Sequence, residues 1–264
     1  MSDFRSRFVS RRRLIASGAV LMAGAVPRRA SAQERSTAAS SFPAQDPEMV
    51  REMVTVSHGN LARVKALVAR HPALAKVSYD WGFGDWETPI DAASHMGNRD
   101  IAEFVLANGA RPTIFSAAML GQLDVVKAFI AAAPGIQRTK GPHSITLLRH
   151  AMAGGVQARP VIEYLMTIDG ADEPLPTRPL SAGDIATIVG VYAFGPGGRI
   201  EITSNTDRVT LASGGRQRGL VHLGSLEFYP AGAEAVRIRF AESTGTMLLT
   251  VHDPDVVVTA RKGA

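Results

Sequence analysis

The sequence predicts an α+β protein of several domains, in which a helical solenoid of about four repeats precedes a small antiparallel β-barrel or meander. Three observations support this prediction. From Asp46 to Asp172, apolar residues recur with the period of an α-helix, in short stretches separated by glycines. The segment Glu173–Leu180 contains three prolines and is typical of a semi-rigid linker. From Ser181 to Ala264, turn residues separate short apolar runs that alternate with a period of two, as in antiparallel strands.

The N-terminal stretch Met1–Ala32 has the order of parts found in a secretory signal. Arg11-Arg12-Arg13 precedes the apolar run Leu14–Val26, and Ala30-Ser31-Ala32 offers small residues for cleavage after Ala32. The apolar run is shorter than the roughly 20 residues that cross a bilayer, and no later segment does better, so we expect no membrane span. The adjacent arginines resemble the twin-arginine export signal of bacteria, which implies a periplasmic or secreted protein. A plain secretory signal and an uncleaved anchor stay open as alternatives.

The positive charge of the chain lies almost entirely in this signal. The formal net charge is +5, yet residues 1–32 hold seven arginines and one acidic residue. The rest of the chain, from Gln33 on, carries 22 basic and 23 acidic residues, so we expect no nucleic-acid binding. The absence of cysteine excludes disulfides and thiolate metal sites. Residues Gln33–Gln45 are rich in Ser and Ala and predict a disordered tether.

The stretch Asp85–Ala110 shows the helical unit most clearly. Thr88-Pro89 supplies an N-cap and a first helical residue, and Gly97 breaks the chain before a second helix. Gly109 is well placed to end that second helix in a left-handed conformation. With Ala92-Ala93 on its close-packing face, this helix–turn–helix resembles an ankyrin repeat. The resemblance covers about Asp46–Asp172. It implies a binding surface made of the tips of the loops between helix pairs, called fingers, and of the last positions of each first helix, ahead of the glycine.

The other units repeat this pattern with unequal spacing. Glycines Gly59, Gly97, Gly121 and Gly154-Gly155 follow each other after 38, 24 and about 34 residues, which brackets the ankyrin period of about 33. The longest spacing enlarges one finger, Tyr79–Trp86, which contains both tryptophans of the chain.

This finger and the residues ahead of the glycines predict a partner-binding surface. Exposed aromatic side chains dominate protein interfaces. A surface of Met, Leu and His beside them would be an exposed apolar patch, which is typical of a binding site. The alternative for the finger is a loop whose aromatic rings pack back on the first two helix pairs. The predicted partner-binding residues are Tyr79, Trp81, Phe83, Trp86, His58, His95, Met96, Met119 and Leu120.

The C-terminal part predicts about eight short strands. They are Val189–Phe194, Ile200–Thr203, Arg208–Leu211, Leu220–Leu223, Leu226–Tyr229, Val236–Phe240, Met247–His252 and Val256–Arg261. Their even spacing suits an up-and-down barrel. Gly190-Val191-Tyr192, Leu226-Glu227-Phe228, Val236–Phe240 and Thr259–Lys262 resemble the lipocalin-like barrel appended to serine beta-lactamase-type peptidases. The residues expected to point inward are Val191, Ile202, Leu211, Phe228, Ile238 and Phe240.

Because that barrel usually accompanies a serine hydrolase, the resemblance raises the question of catalytic patterns in this chain. No Ser is followed three residues later by Lys, and neither G-x-S-x-G nor H-E-x-x-H occurs. Ser144 and His150 lack an evident orienting acid and oxyanion site, and Asp91 near Glu87 is explained as a helix-start residue. The seven histidines include no pair at i, i+3 or i, i+4, which such a helical metal face requires. We therefore predict no catalytic residues, no metal and no cofactor.

Two functions remain. The first is an exported, non-catalytic binding protein that contacts an unknown protein partner through residues 46–172, with the barrel as an accessory module. The alternative is a protein that holds a small apolar ligand inside the C-terminal barrel, since barrels of about eight strands can enclose one small molecule.

Overall fold

A computed structural model describes residues 41–173, 175–205, 208–254 and 256–263. The predicted export signal and most of the predicted tether lie outside the described residues. The described chain is mixed α+β, with helices before residue 190 and a closed barrel after it. Both parts belong to one compact unit. Within the described residues, no helix combines the length and the apolar character that a membrane span requires.

The described residues form nine α-helices, of which the first eight come in four consecutive pairs. They are α1 (Pro47–Val56), α2 (Leu61–Arg70), α3 (Pro89–His95), α4 (Arg99–Ala107), α5 (Ile114–Met119), α6 (Leu123–Ala132), α7 (Leu147–Ala153), α8 (Arg159–Met166) and α9 (Ala182–Ile188). Each of the first four pairs packs as a hairpin, and the first helices of the pairs contact each other in the order α1, α3, α5, α7. Helix α9 was not predicted, because Ser181–Ala264 was expected to contain only strands; the Ser181 side chain caps this helix by accepting from Asp184 N–H.

The same kind of cap starts the first helix of every pair. The side chains of Asp46, Thr88, Thr113 and Thr146 accept hydrogen bonds from the first backbone N–H groups of α1, α3, α5 and α7. Glycines with positive φ then end or turn the helices, among them Gly97 at 72° and Gly109 at 90°, as their spacing predicted. One apolar core joins the first two hairpins and takes in Met119 at the end of α5, and a second core joins the last two hairpins.

The enlarged finger between the first two hairpins folds as a short antiparallel ribbon. Strand β1 (Tyr79–Asp80) pairs with β2 (Trp86–Glu87), so Tyr79 lies opposite Glu87. Between the strands, Gly82, Phe83 and Gly84 all have positive φ, and this tight loop sends the chain back toward α3. The ribbon thereby places Asp85 and Glu87, both buried, beside the start of α3.

The predicted barrel is confirmed as a closed, eight-stranded antiparallel barrel. Its strands are β3 (Gly190–Phe194), β4 (Gly198–Asn205), β5 (Arg208–Ser213), β6 (Arg216–Gly224), β7 (Glu227–Pro230), β8 (Arg237–Ser243), β9 (Thr246–Asp253) and β10 (Val256–Lys262). They pair in sequence order, and β10 closes on β3. Closure removes the unpaired sheet edges that would otherwise attract other strands.

The barrel interior is filled with side chains. Five of the six residues predicted to point inward are buried, namely Ile202, Leu211, Phe228, Ile238 and Phe240. The prediction for Val191 is wrong: its neighbour Tyr192 is fully buried and Val191 is half-buried. Successive side chains of a strand point to opposite faces, so an error of one residue reverses which of the two points inward. The Tyr192 hydroxyl donates to the Ile188 carbonyl at 2.7 Å and so joins α9 to the barrel core.

Candidate metal centre

Three histidines and one glutamate from separate parts of the helical region meet in one cluster, which we call the His/Glu cluster. Its members are His58, Glu87, His95 and His143, and their donor atoms all lie within 4.8 Å of one another. His58 follows the end of α1, Glu87 ends β2 and His95 ends α3. His143 lies in a 3₁₀ turn before α7. The two histidines ahead of Gly59 and Gly97 therefore meet because consecutive hairpins stack side by side.

Glu87 is at the centre of the cluster. Its Oε1 lies 2.8 Å from His95 Nε2, 3.4 Å from His143 Nε2 and 3.6 Å from His58 Nε2. A four-coordinate zinc ion with bonds of about 2.0–2.1 Å separates neighbouring donors by about 3.3 Å. The three distances bracket that value. The other carboxylate oxygen of Glu87, Oε2, accepts a hydrogen bond from the Trp81 indole N–H at 2.7 Å.

Two of the three imidazoles also have a partner on the other ring nitrogen, Nδ1. His143 Nδ1 lies 2.7 Å from Asp85 Oδ2, and His58 Nδ1 lies 3.1 Å from the carbonyl oxygen of Val54. A carbonyl oxygen can only accept, so His58 Nδ1 donates to it, and Nε2 is the ring nitrogen that faces Glu87. Metal-binding histidines are held in this way, by a carboxylate or a carbonyl on the other ring nitrogen.

The cluster is buried on one side and open on the other. The Glu87 side chain is fully buried and that of His95 is 7% exposed, whereas His58 and His143 are 28% and 26% exposed. A buried carboxylate needs compensating partners. Burial alone would raise the pKa of Glu87, but contacts with His143 and His95 outweigh burial and lower this pKa to about 2. Glu87 is therefore ionised throughout the physiological pH range.

Positively charged groups face the buried carboxylates Glu87 and Asp85. Burial disfavours the imidazolium form of His143, but its bonds to Asp85 and Glu87 dominate and raise its pKa to about 9. Burial also acts on Asp85, whose pKa nevertheless falls because His143 and Arg218 face it. Arg218 comes from barrel strand β6 and lies 2.6 Å from Asp85 Oδ2. Two cations therefore face two carboxylates, and a divalent metal ion could replace the protons on the imidazoles.

A fourth histidine, His150, lies next to the cluster without belonging to it. Its ring centroid is 6.2 Å from that of His95, and its Nδ1 bonds to the Ser94 hydroxyl at 2.8 Å. His150 is fully buried, and its Nε2 has no hydrogen-bond partner among the described residues. Burial, reinforced by the nearby His95, lowers the pKa of His150 to about 3, so it is neutral at physiological pH.

The structure divides the predicted partner-binding residues. Trp86 and Met96 are exposed, at 59% and 54%. Phe83 packs against the barrel core, and Tyr79 packs edge to face on Trp81. Leu120 is half-buried against the core of the first two hairpins. These residues do not form one apolar surface.

Two of these predictions are wrong about exposure. Met119 is fully buried, because the end of α7 approaches so closely that a Cβ on Gly154 would lie 2.0 Å from the Met119 carbonyl oxygen. His95 was predicted as an exposed groove residue, yet its imidazole is almost fully covered and contacts Glu87. The prediction of no metal rested on the absence of cysteine and of H-E-x-x-H and on the spacing of the histidines along a helix. Helical spacing does not detect donors that come from separate segments of the chain.

No known protein family model matches the sequence, and no curated protein is found to resemble it. The interpretation of the cluster therefore depends on its geometry.

Proposed function

We propose that this protein binds one divalent transition-metal ion at the His/Glu cluster and that this ion is zinc. The observation that supports this most directly is the approach of three imidazole Nε2 atoms to one buried carboxylate oxygen at 2.8–3.6 Å, with all four donor atoms within 4.8 Å of one another. Imidazole nitrogen with one carboxylate oxygen is a donor set that suits zinc and its neighbours in the first transition row.

We propose that the bound ion is structural and that the protein is not an enzyme. Catalytic zinc sites keep one coordination position for water, whereas structural sites fill all four positions with protein donors. Here Glu87 offers the fourth donor, and Trp81 fixes its other oxygen. The ion would join the turn after α1, strand β2, the end of α3 and the turn before α7.

Zinc uptake by the purified chain tests this proposal. After equilibrium dialysis against zinc and elemental analysis, we expect one ion per wild-type chain. His95→Ala should bind substantially less zinc because it removes the most buried imidazole of the cluster. His71→Ala is the matched control, since His71 is an exposed residue at the end of α2. Wild-type protein that binds no zinc, or His95→Ala protein that binds as much as the control, would contradict the proposal.

Cobalt provides a check on geometry. Four-coordinate Co²⁺ absorbs visible light much more strongly than six-coordinate Co²⁺, so the wild-type chain with one equivalent of Co²⁺ should show the intense four-coordinate spectrum. Glu87→Gln should weaken it, because an amide oxygen is a poorer ligand than a carboxylate. A weak six-coordinate spectrum from the wild type would show that the four donors do not act together.

We propose that the helical pairs are ankyrin-type repeats of an exported protein and that the metal stabilises their stack. The repeated Thr or Asp caps, the positive-φ glycines and the side-by-side first helices support this assignment. The export and the periplasmic or secreted location follow from the resemblance of residues 1–32 to a twin-arginine signal.

A protein partner is a second function that the exposure of Trp86 favours. Trp is the residue most enriched at binding hot spots, and this one is more than half exposed. Recovery of a partner from an envelope fraction by the wild type, and its loss with Trp86→Ala, would support this role; recovery that Trp86→Ala leaves unchanged would contradict it. The predicted small-ligand function of the barrel has less support, because Tyr192, Phe228 and Ile238 fill its interior.

A further inference from the structure

A single buried carboxylate connects the barrel to the His/Glu cluster. Asp85 Oδ2 lies 2.7 Å from His143 Nδ1 and 2.6 Å from an Arg218 guanidinium nitrogen, and Asp85 Oδ1 accepts from the His143 backbone N–H at 3.0 Å. Asp85 is 3% exposed and Arg218 8%. Shielding from water makes these charge-assisted bonds stronger and more directional than bonds at the surface.

A second contact ties the same turn to the barrel. The Gly232 backbone N–H donates to Ser144 Oγ at 2.7 Å. Gly232 has a φ of +86°, and a Cβ there would lie 2.4 Å from Asp85 Cγ. The barrel backbone therefore reaches the carboxylate at a distance that only glycine permits.

The turn that carries His143 needs such support. His143 and Ser144 both have left-handed backbone conformations, with φ of 60° and 63°. This region is unfavourable for residues other than glycine by roughly 1–2 kcal/mol each, so surrounding contacts must hold the turn. Asp85 binds the backbone and the ring of His143, and Gly232 binds the next side chain.

We infer that the barrel controls the metal affinity of the His/Glu cluster, and that Arg218 is its positioning residue. Arg218 fixes Asp85, Asp85 fixes the ring of His143, and His143 Nε2 then faces the metal position. This inference rests on the proposed function. The barrel then acts by positioning His143 from outside, and not by holding a ligand in its filled interior. It also implies the converse: a bound metal stabilises the docking of the barrel on the helical part, because coupling between two equilibria is reciprocal.

A double-mutant cycle on the full chain tests the inference. Zinc Kd is measured by competition with a chromophoric chelator for the wild type, Arg218→Met, His143→Ala and the double variant. Removing a group that orients a metal-bound histidine typically weakens affinity by about 10- to 100-fold, which is the loss expected for Arg218→Met. Because Arg218 acts through His143, the double variant should bind within about 3-fold of His143→Ala alone. Arg216→Met, on an exposed position of the same strand, should keep the wild-type Kd.

Arg218→Lys keeps the charge and should recover part of the lost affinity, which a general loss of barrel packing would not explain. If circular dichroism shows that Arg218→Met does not fold, Arg218→Lys and Arg218→Gln take its place in the cycle. A wild-type Kd in a folded Arg218 variant, or losses that add in the double variant, would overturn the inference and leave the proposed function standing. A wild-type chain that takes up no zinc would overturn both.

Discussion

At the residue scale, the position of Glu87 in the sequence suggests a different role from the one it has in the structure. In the chain, Glu87 directly precedes the cap Thr88, where an acid is expected simply because it favours a helix N-terminus. In the structure its carboxylate is fully buried and contacts three imidazoles and one indole. Nothing in a single sequence distinguishes these two uses, since both need only an acidic residue near the start of α3.

His150 carries a prediction about pH. It is buried and neutral in the folded chain, with a pKa of about 3, whereas an unfolded histidine titrates near 6.5. Between these values the unfolded chain binds more protons, so stability is lost as the pH falls below about 6.5. At pH 5 this loss should be about 2 kcal/mol, because each pKa unit corresponds to about 1.4 kcal/mol.

Urea unfolding with a metal chelator present, at pH 7 and at pH 5, measures this loss. His150→Phe is the test variant, because Phe115 already packs on the ring and the Ser94 hydroxyl keeps its bond to the Phe115 carbonyl. Its free energy of unfolding should fall less between the two pH values than that of the wild type, by about 2 kcal/mol. Equal losses in both proteins would show that His150 is not the acid-sensitive group.

At the element scale, the helices and strands were largely predictable and the cluster was not. The helix predicted to begin at Thr88-Pro89 matches α3, and all eight predicted strands have counterparts in the barrel. These elements follow from local periodicity, caps and turn residues, which a sequence displays directly. The His/Glu cluster depends on which turns lie side by side. Its fourth member comes from a 3₁₀ turn with left-handed residues that no periodicity marks.

The repeated glycines also differ in ways that the sequence hides. Gly97 has a φ of +72°, and a Cβ there would lie 2.2 Å from the Ala153 carbonyl oxygen, where the second hairpin meets the end of α7. Gly59 occupies the matching position in the first hairpin, but no atom lies within 4 Å of a Cβ placed there. Two glycines that look equivalent in the repeat pattern therefore experience very different packing.

This difference predicts opposite outcomes for the same substitution. Gly97→Ala should lower the free energy of unfolding by about 3 kcal/mol, since it combines left-handed strain with a backbone overlap. Gly59→Ala should stay within about 0.5 kcal/mol of the wild type, because its backbone and surroundings accept a methyl group. Chemical denaturation of the two variants side by side measures both values. Similar losses at the two positions would mean that the hairpins do not pack as described.

At the scale of the whole molecule, the His/Glu cluster lies where separate parts of the chain converge. Its donors come from the first hairpin, the enlarged finger, the second hairpin and the turn before α7, and a barrel arginine supports that turn. The apolar cores of the helical part are centred on the first two and on the last two hairpins, and Met119 at the end of α5 packs in the first of them. A metal ion that binds donors from both halves would add a polar link between the two cores.

Such a link predicts that zinc stabilises the entire folded chain. A ligand that binds only the folded state adds about 2.7 kcal/mol when its free concentration is 100 times its Kd. For a folded region of this size each kcal/mol corresponds to roughly 2–4 °C, so Tm should rise by roughly 5–10 °C. Thermal unfolding followed by circular dichroism, with zinc and with a chelator, measures the rise.

His95→Ala should show almost none of this rise in Tm, while His71→Ala should respond like the wild type. Because the donors span both halves of the helical part, zinc should raise a single cooperative transition; a zinc-dependent shift confined to one of two separate transitions would show that the ion stabilises only part of the helical stack.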